Sequence, residues 1–109
     1  MTDNLVRLDL SKFSRSDVIK IEDIGRKLRL MHRWFRYERR EDDNDAGGDC
    51  YIIFSGDRGP RTYVTYCLWR LYDGGYELRD PQRRELLASG RSIDRVIKKI
   101  PDDFFYTAR

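Results

Sequence analysis

A chain of 109 residues with 39% hydrophobic and 38% charged side chains has room for one core and little for a second. Its 13% aromatic content and net charge of only +3 exclude a disordered chain, and no apolar run approaches the ~20 residues a membrane helix needs. The segment Met1-Thr2-Asp3-Asn4 carries neither the basic nor the apolar region of a secretory signal, so a single cytoplasmic domain over 1–109, with no membrane contact, is expected.

The basic residues are 17 Arg and 5 Lys. The planar guanidinium fork suits phosphate or carboxylate, although a GC-rich genome produces the same bias. Cys50 and Cys67 do not form a CxxC pair, and one His cannot complete a zinc site with them. Free, buried thiols are the expectation.

Along the chain, residues 1–13 alternate weakly, with Leu5, Arg7 and Asp9 against Val6, Leu8 and Leu10, as in an edge strand or an ordered arm. Residues 14–40 read as a helix. Ser14 or Ser16 can cap it, and Asp17 stands three after Ser14, a capping-box spacing. Ile24, Leu28, Met31 and Phe35 recur at helical intervals, and Leu30, Trp34 and Tyr37 widen that stripe. Arg26, Arg29, Arg33, Arg36, Arg39 and Arg40 then fall on the opposite arc, with His32 at its edge. Gly25, about 1 kcal/mol worse than Ala in a helix, marks a break after a first segment at 16–23. The alternative is a strand over 31–39 in a long hairpin. Poor alternation there favours the helix.

Residues 41–49, acidic and carrying two adjacent glycines, are a loop. Residues 50–88 read as a β-meander: a short run at Cys50–Phe54, a long central strand over Arg61–Tyr72, a hairpin at Asp73-Gly74-Gly75, a return over Tyr76–Arg79, and a last short strand over Glu85–Ala88. Ile93, Val96, Ile97 and Ile100 predict a closing helix over 91–100, with Lys98 and Lys99 in its last turn and Pro101 as its stop. Residues 101–109 form a tail with three aromatics, Phe104, Phe105 and Tyr106.

The expected fold is therefore α+β, in the order α-β-β-β-α. A three- to four-stranded antiparallel meander lies between one long amphipathic helix and one short one, with both helices on one face. The expected core is Ile24, Leu28, Met31, Phe35, Ile53, Val64, Tyr66, Leu68, Leu78, Ile93, Val96 and Ile97.

Catalytic signals are absent. The lone His32 has no nucleophile at helical spacing and reads as a solvated or capping residue. There is no GxSxG, HExxH, Walker or GxGxxG motif, and Ser55-Gly56-Asp57-Arg58-Gly59-Pro60 lacks the lysine and helix of a phosphate loop. Asp42, Asp43, Asp45 and Asp49 could surround a hard cation, but the order of an EF-hand fails, so no metal and no cofactor are expected.

The basic stretches remain. Ile24–Arg40 holds seven basic residues against Glu38 alone, and Arg79–Lys99 holds seven against Asp80, Glu85 and Asp94. An arginine face repeats charge at ~5–6 Å, near the phosphate spacing of one nucleic-acid strand. The expected function is a non-enzymatic binding module for an anionic partner, nucleic acid or an acidic protein surface, through Arg26, Arg29, Arg33, Arg36, Arg39 and Arg40. The alternative is a protein-interaction or inhibitor domain, homo-oligomeric or not, using Trp69, Tyr63, Phe104, Phe105 and Tyr106. No small-molecule substrate is evident.

The element order over residues 14–100 is similar to that of double-stranded-RNA-binding domains. Gly59-Pro60-Arg61 and Ser89-Gly90-Arg91-Ser92 resemble motifs of that family. The chain departs from it in lacking the histidine after Gly-Pro, and in placing Lys98-Lys99 at the end of the last helix instead of its start.

Overall fold

Ser14 opens the first helix as its spacing predicts. Its Oγ accepts from Asp17 N at 3.1 Å, and its own N–H donates to Asp17 Oδ2 at 3.0 Å, a reciprocal capping box. The computed structural model describes residues 12–40, 48–57 and 63–106. Within them α1 spans Arg15–Leu30. The predicted arm over 1–13 and loop over 41–49 fall largely outside the described residues.

The predicted continuation of α1 to residue 40 is overturned. Arg33 N donates to Leu28 O at 2.8 Å and His32 N to Arg29 O at 3.0 Å, the two bonds of a Schellman turn. His32 takes the left-handed conformation (φ 58°) that glycine usually supplies at this position. With no glycine there, the helix stop left no mark in the sequence. Trp34–Arg40 is strand β1, the rejected alternative. Its residues alternate after all: Phe35 and Tyr37 pack against the core, while Trp34, Arg36 and Glu38 take the opposite parity.

Four more strands follow: β2 (Asp49–Gly56), β3 (Tyr63–Arg70), β4 (Tyr76–Asp80) and β5 (Glu85–Gly90). They form one antiparallel sheet in chain order, β1 to β5, so the α+β meander has five strands among the described residues where three or four were expected. The closing helix is shorter than predicted, α2 (Ile93–Ile97), and a 3-10 turn at Asp102–Phe104 begins the tail. The Asp73-Gly74-Gly75 turn forms as predicted. Gly74 has φ 87°, and Leu71 N donates to Gly75 O at 2.8 Å.

Register fixes which side chains face the helices. Tyr37 lies opposite Ile53, Ile53 opposite Tyr66, Leu68 opposite Leu78, and Leu78 opposite Ala88. These residues meet Ile21, Ile24 and Leu28 of α1, with Ile93 and Val96 of α2, Ile100 and Phe104, in one core. Each fully buried aliphatic or Phe side chain contributes roughly 1.5–3 kcal/mol. Eight of the expected core residues are buried, and Phe35, Val64 and Ile97 pack at its margin. Met31 is the exception: it caps α1 and stays outside the cluster.

Two polar anchors tie the layers together. Asp17 accepts from Arg70 Nη1 at 2.7 Å and from Tyr76 Oη at 2.8 Å, so the start of α1 is fastened to β3 and β4. Burial, then the Asp17 hydrogen bond, pushes Tyr76 up to about 12. At the other end, Arg33 donates to the carbonyls of Phe104 and Asp103, both at 3.2 Å, and Ser55 Oγ donates to Phe104 O at 2.6 Å.

Candidate binding surface

Both helices cover the same side of the sheet, so its other side has no layer over it among the described residues. That face follows from strand parity. It carries Trp34, Arg36, Glu38 and Arg40 from β1, Cys50, Ile52 and Phe54 from β2, and Tyr63, Thr65, Cys67 and Trp69 from β3. Glu77 and Arg79 of β4 continue it.

At one end of the face the side chains form a connected cluster. The Arg36 guanidinium lies 5.0 Å from the Phe54 ring centroid and 5.9 Å from that of Trp34. Phe54 meets Tyr63 edge-on at 5.4 Å. Arg36 also pairs with Glu38 at 2.7 Å. At the other end Trp69, Leu71, Glu77 and Arg79 line a hollow of about 210 Å³, with Arg79 paired to Glu77 at 2.9 Å. A guanidinium held over rings offers a flat cationic platform, and partly exposed rings beside it can stack a planar ligand.

Cys50 and Cys67 lie between these ends as free, buried thiols, as expected. They sit diagonally on neighbouring strands, Cys50 opposite Trp69 and Cys67 opposite Ile52. Their mutual hydrogen bond, then burial, pushes the Cys50 thiol up and keeps it protonated.

The six arginines expected on one helix face are dispersed because α1 ends before most of them. Arg26 and Arg29 are exposed on α1, with Arg26 paired to Asp23 at 2.7 Å. Arg33 is buried in the tail anchor. Arg39 turns to the helix side of β1 and binds Asp49 at 2.8 Å. Arg36 and Arg40 share the open face, and both are exposed.

The aromatic candidates divide similarly. Tyr63, 49% exposed, and the half-buried Trp69 are on the open face. Phe104 is fully buried in the core, Phe105 is half-buried under the Lys27 ammonium, and Tyr106 is exposed beside α1. Sequence reasoning missed Trp34, Phe54 and Arg79. Reading 34–40 as an alternating strand would have grouped Trp34 with Arg36 and Arg40.

His32 occupies a helix-capping position, one of its two expected readings. Asp42, Asp43 and Asp45 lie outside the described residues, while Asp49 accepts from Phe13 N and Arg39 Nε. Among the described residues no group of three His, Cys, Asp or Glu gathers to hold a metal, and no helix is long and apolar enough to cross a membrane. No protein family, no curated protein and no solved structure matches this chain.

Proposed function

We propose that the chain is a non-enzymatic cytoplasmic module that binds an anionic polymer, a single strand of RNA or DNA, across the open face of its sheet. One observation carries this reading: Arg36 is held against Phe54 and Trp34, with Tyr63 against Phe54, on a face that neither helix covers. Trp34, Phe54 and Tyr63 come from three adjacent strands, which lie ~4.8 Å apart. A strand of nucleic acid crossing them can stack bases on the rings and set phosphates against Arg36, Arg40 and Arg79. A duplex keeps its bases paired and cannot use the rings.

The test is anisotropy titration of labelled single-stranded and duplex oligonucleotides at several salt concentrations. Stacking of one base is worth ~1–3 kcal/mol, so Phe54→Ala should weaken single-strand binding by roughly ten- to a hundredfold. Arg36→Ala should also reduce the salt dependence. Arg26→Glu/Arg29→Glu on α1 should have a smaller effect. Absence of binding at low salt, or losses only in the α1 variant, would overturn the reading.

A second reading has its own support. No strand among the described residues contains a lysine, and Arg36 and Arg79 already have carboxylate partners in Glu38 and Glu77. Aromatics and Arg without Lys is the composition of a protein interface. Binding to a protein that is insensitive to salt, with no nucleic-acid affinity, would favour it.

A further inference from the structure

Cys50 and Cys67 are the only cysteines of the chain, and strand register brings them together. Cys50 lies opposite Trp69 and Cys67 opposite Ile52, so the two are diagonal neighbours on the open face of β2 and β3. Diagonal positions of an antiparallel pair are ~7–8 Å apart at Cα. A disulfide usually spans ~5.5–6 Å, so a direct S–S bond would need the strands to move. The side chains instead share a thiol–thiol hydrogen bond, with Cys50 as donor. Both are almost wholly buried, Cys50 1% and Cys67 5% exposed.

We propose that the Cys50–Cys67 pair is a two-coordinate site for a soft monovalent metal ion, Cu(I), held in line between the two sulfurs. Thiolate sulfur is the ligand that selects Cu(I). Zinc needs four ligands and hard cations need several oxygens. Among the described residues no third His, Cys, Asp or Glu joins the pair. Glu38 and Glu77, the carboxylates that register places opposite Ile52 and Trp69 on this face, are paired to Arg36 and Arg79. An ion content with two sulfurs is the one this donor set suits.

The charge also closes. Two thiols give up two protons and the ion brings one positive charge, so the filled site, S–Cu–S, carries −1. Arg40 stands opposite Cys50 and Arg79 opposite Cys67, on the same face, so a guanidinium flanks each sulfur. The hydrogen bond from Cys50 lowers the Cys67 thiol against the effect of burial, and the Arg40 charge adds to the lowering. The pair thus gives up one proton readily and keeps the other between its sulfurs, where the ion would replace it. Arg40 and Arg79 are exposed, so the ion can enter from the open face once they swing aside. None of this rests on the nucleic-acid reading.

The test is anaerobic titration of the intact, reduced chain with Cu(I), in competition with a chromophoric Cu(I) chelator and with a reductant that is not a thiol. Native mass spectrometry should count one copper per chain. Circular dichroism melts should show a rise of several degrees with Cu(I) and none with Zn(II), because an ion that binds the folded state stabilises it by mass action. Cys50→Ala and Cys67→Ala should each weaken binding more than about a hundredfold, beyond what loss of an outer-shell partner costs. Arg40→Gln/Arg79→Gln keeps both thiols and should weaken it about tenfold. No competition with the chelator would overturn the proposal. So would a lowered melting temperature, which would mean that the ion prefers the thiols of the unfolded chain. Equal affinity in either cysteine variant, or bound Zn(II) of similar strength, would equally reject a two-sulfur site.

Discussion

Gly25 lies inside α1, where replacement by Ala ordinarily gains about 1 kcal/mol of helix propensity. The structure predicts the opposite sign. A Cβ at residue 25 would sit 2.6 Å from Phe35 Cδ2 and 2.9 Å from its Cε2, inside van der Waals contact. The Phe35 ring has little room to retreat, since it packs against Tyr37 at 5.9 Å and against Phe104 at 6.3 Å. Overpacking of this kind costs roughly 1–3 kcal/mol. Set against the propensity gain, Gly25→Ala should destabilise the fold by up to about 2 kcal/mol, or roughly 8–16 °C in melting temperature for a domain near 100 residues. Urea unfolding followed by circular dichroism measures it. The cause is tested in the same assay by a double-mutant cycle with Phe35→Ala: once the ring is gone, Gly25→Ala should become neutral or stabilising. If Gly25→Ala alone raised stability by about 1 kcal/mol, the close approach of β1 to α1 at this point would be wrong.

Other residues give equally direct tests. His32→Gly should stabilise the chain by about 1 kcal/mol, because it relieves a left-handed backbone at a non-glycine residue (φ 58°), and urea midpoints measure it. Asp17→Ala removes the side-chain half of the α1 capping box and leaves Arg70 and Tyr76 without their carboxylate; a loss of about 3–5 kcal/mol is expected in the same assay. The alkaline limb of the stability curve should depend on Tyr76. Its folded-state value, raised by burial and the Asp17 hydrogen bond from 10.0 to about 12, favours the neutral phenol in the fold. That contribution is complete below pH 10 and is lost as pH rises through about 12, so Tyr76→Phe should flatten this decline, and unchanged slopes would contradict it.

The arginine-rich composition was legible from residue types alone, as were the capping box at Ser14, the Asp73-Gly74-Gly75 turn and most of the core. These features are local, or follow from periodicity within one element. The boundary between α1 and β1 was not legible. Aromatics at Trp34, Phe35 and Tyr37 continue a helical stripe and also suit a strand, and the residue that ends the helix is a histidine doing what glycine usually does. The error propagated to the binding surface. On a helix the six arginines share an arc; on the real elements, two stay on α1, one is buried, and the rest are divided between two sides of a strand.

Composition and local pattern thus determined the class of the fold, its charge and the chemistry it can offer a partner. Which of those side chains stand together was decided by long-range pairing. Trp34 lies opposite Gly56 and Phe54 opposite Thr65, and because β-strand side chains alternate with a period of two, these registers alone sort Trp34, Arg36, Phe54 and Tyr63 onto the open face.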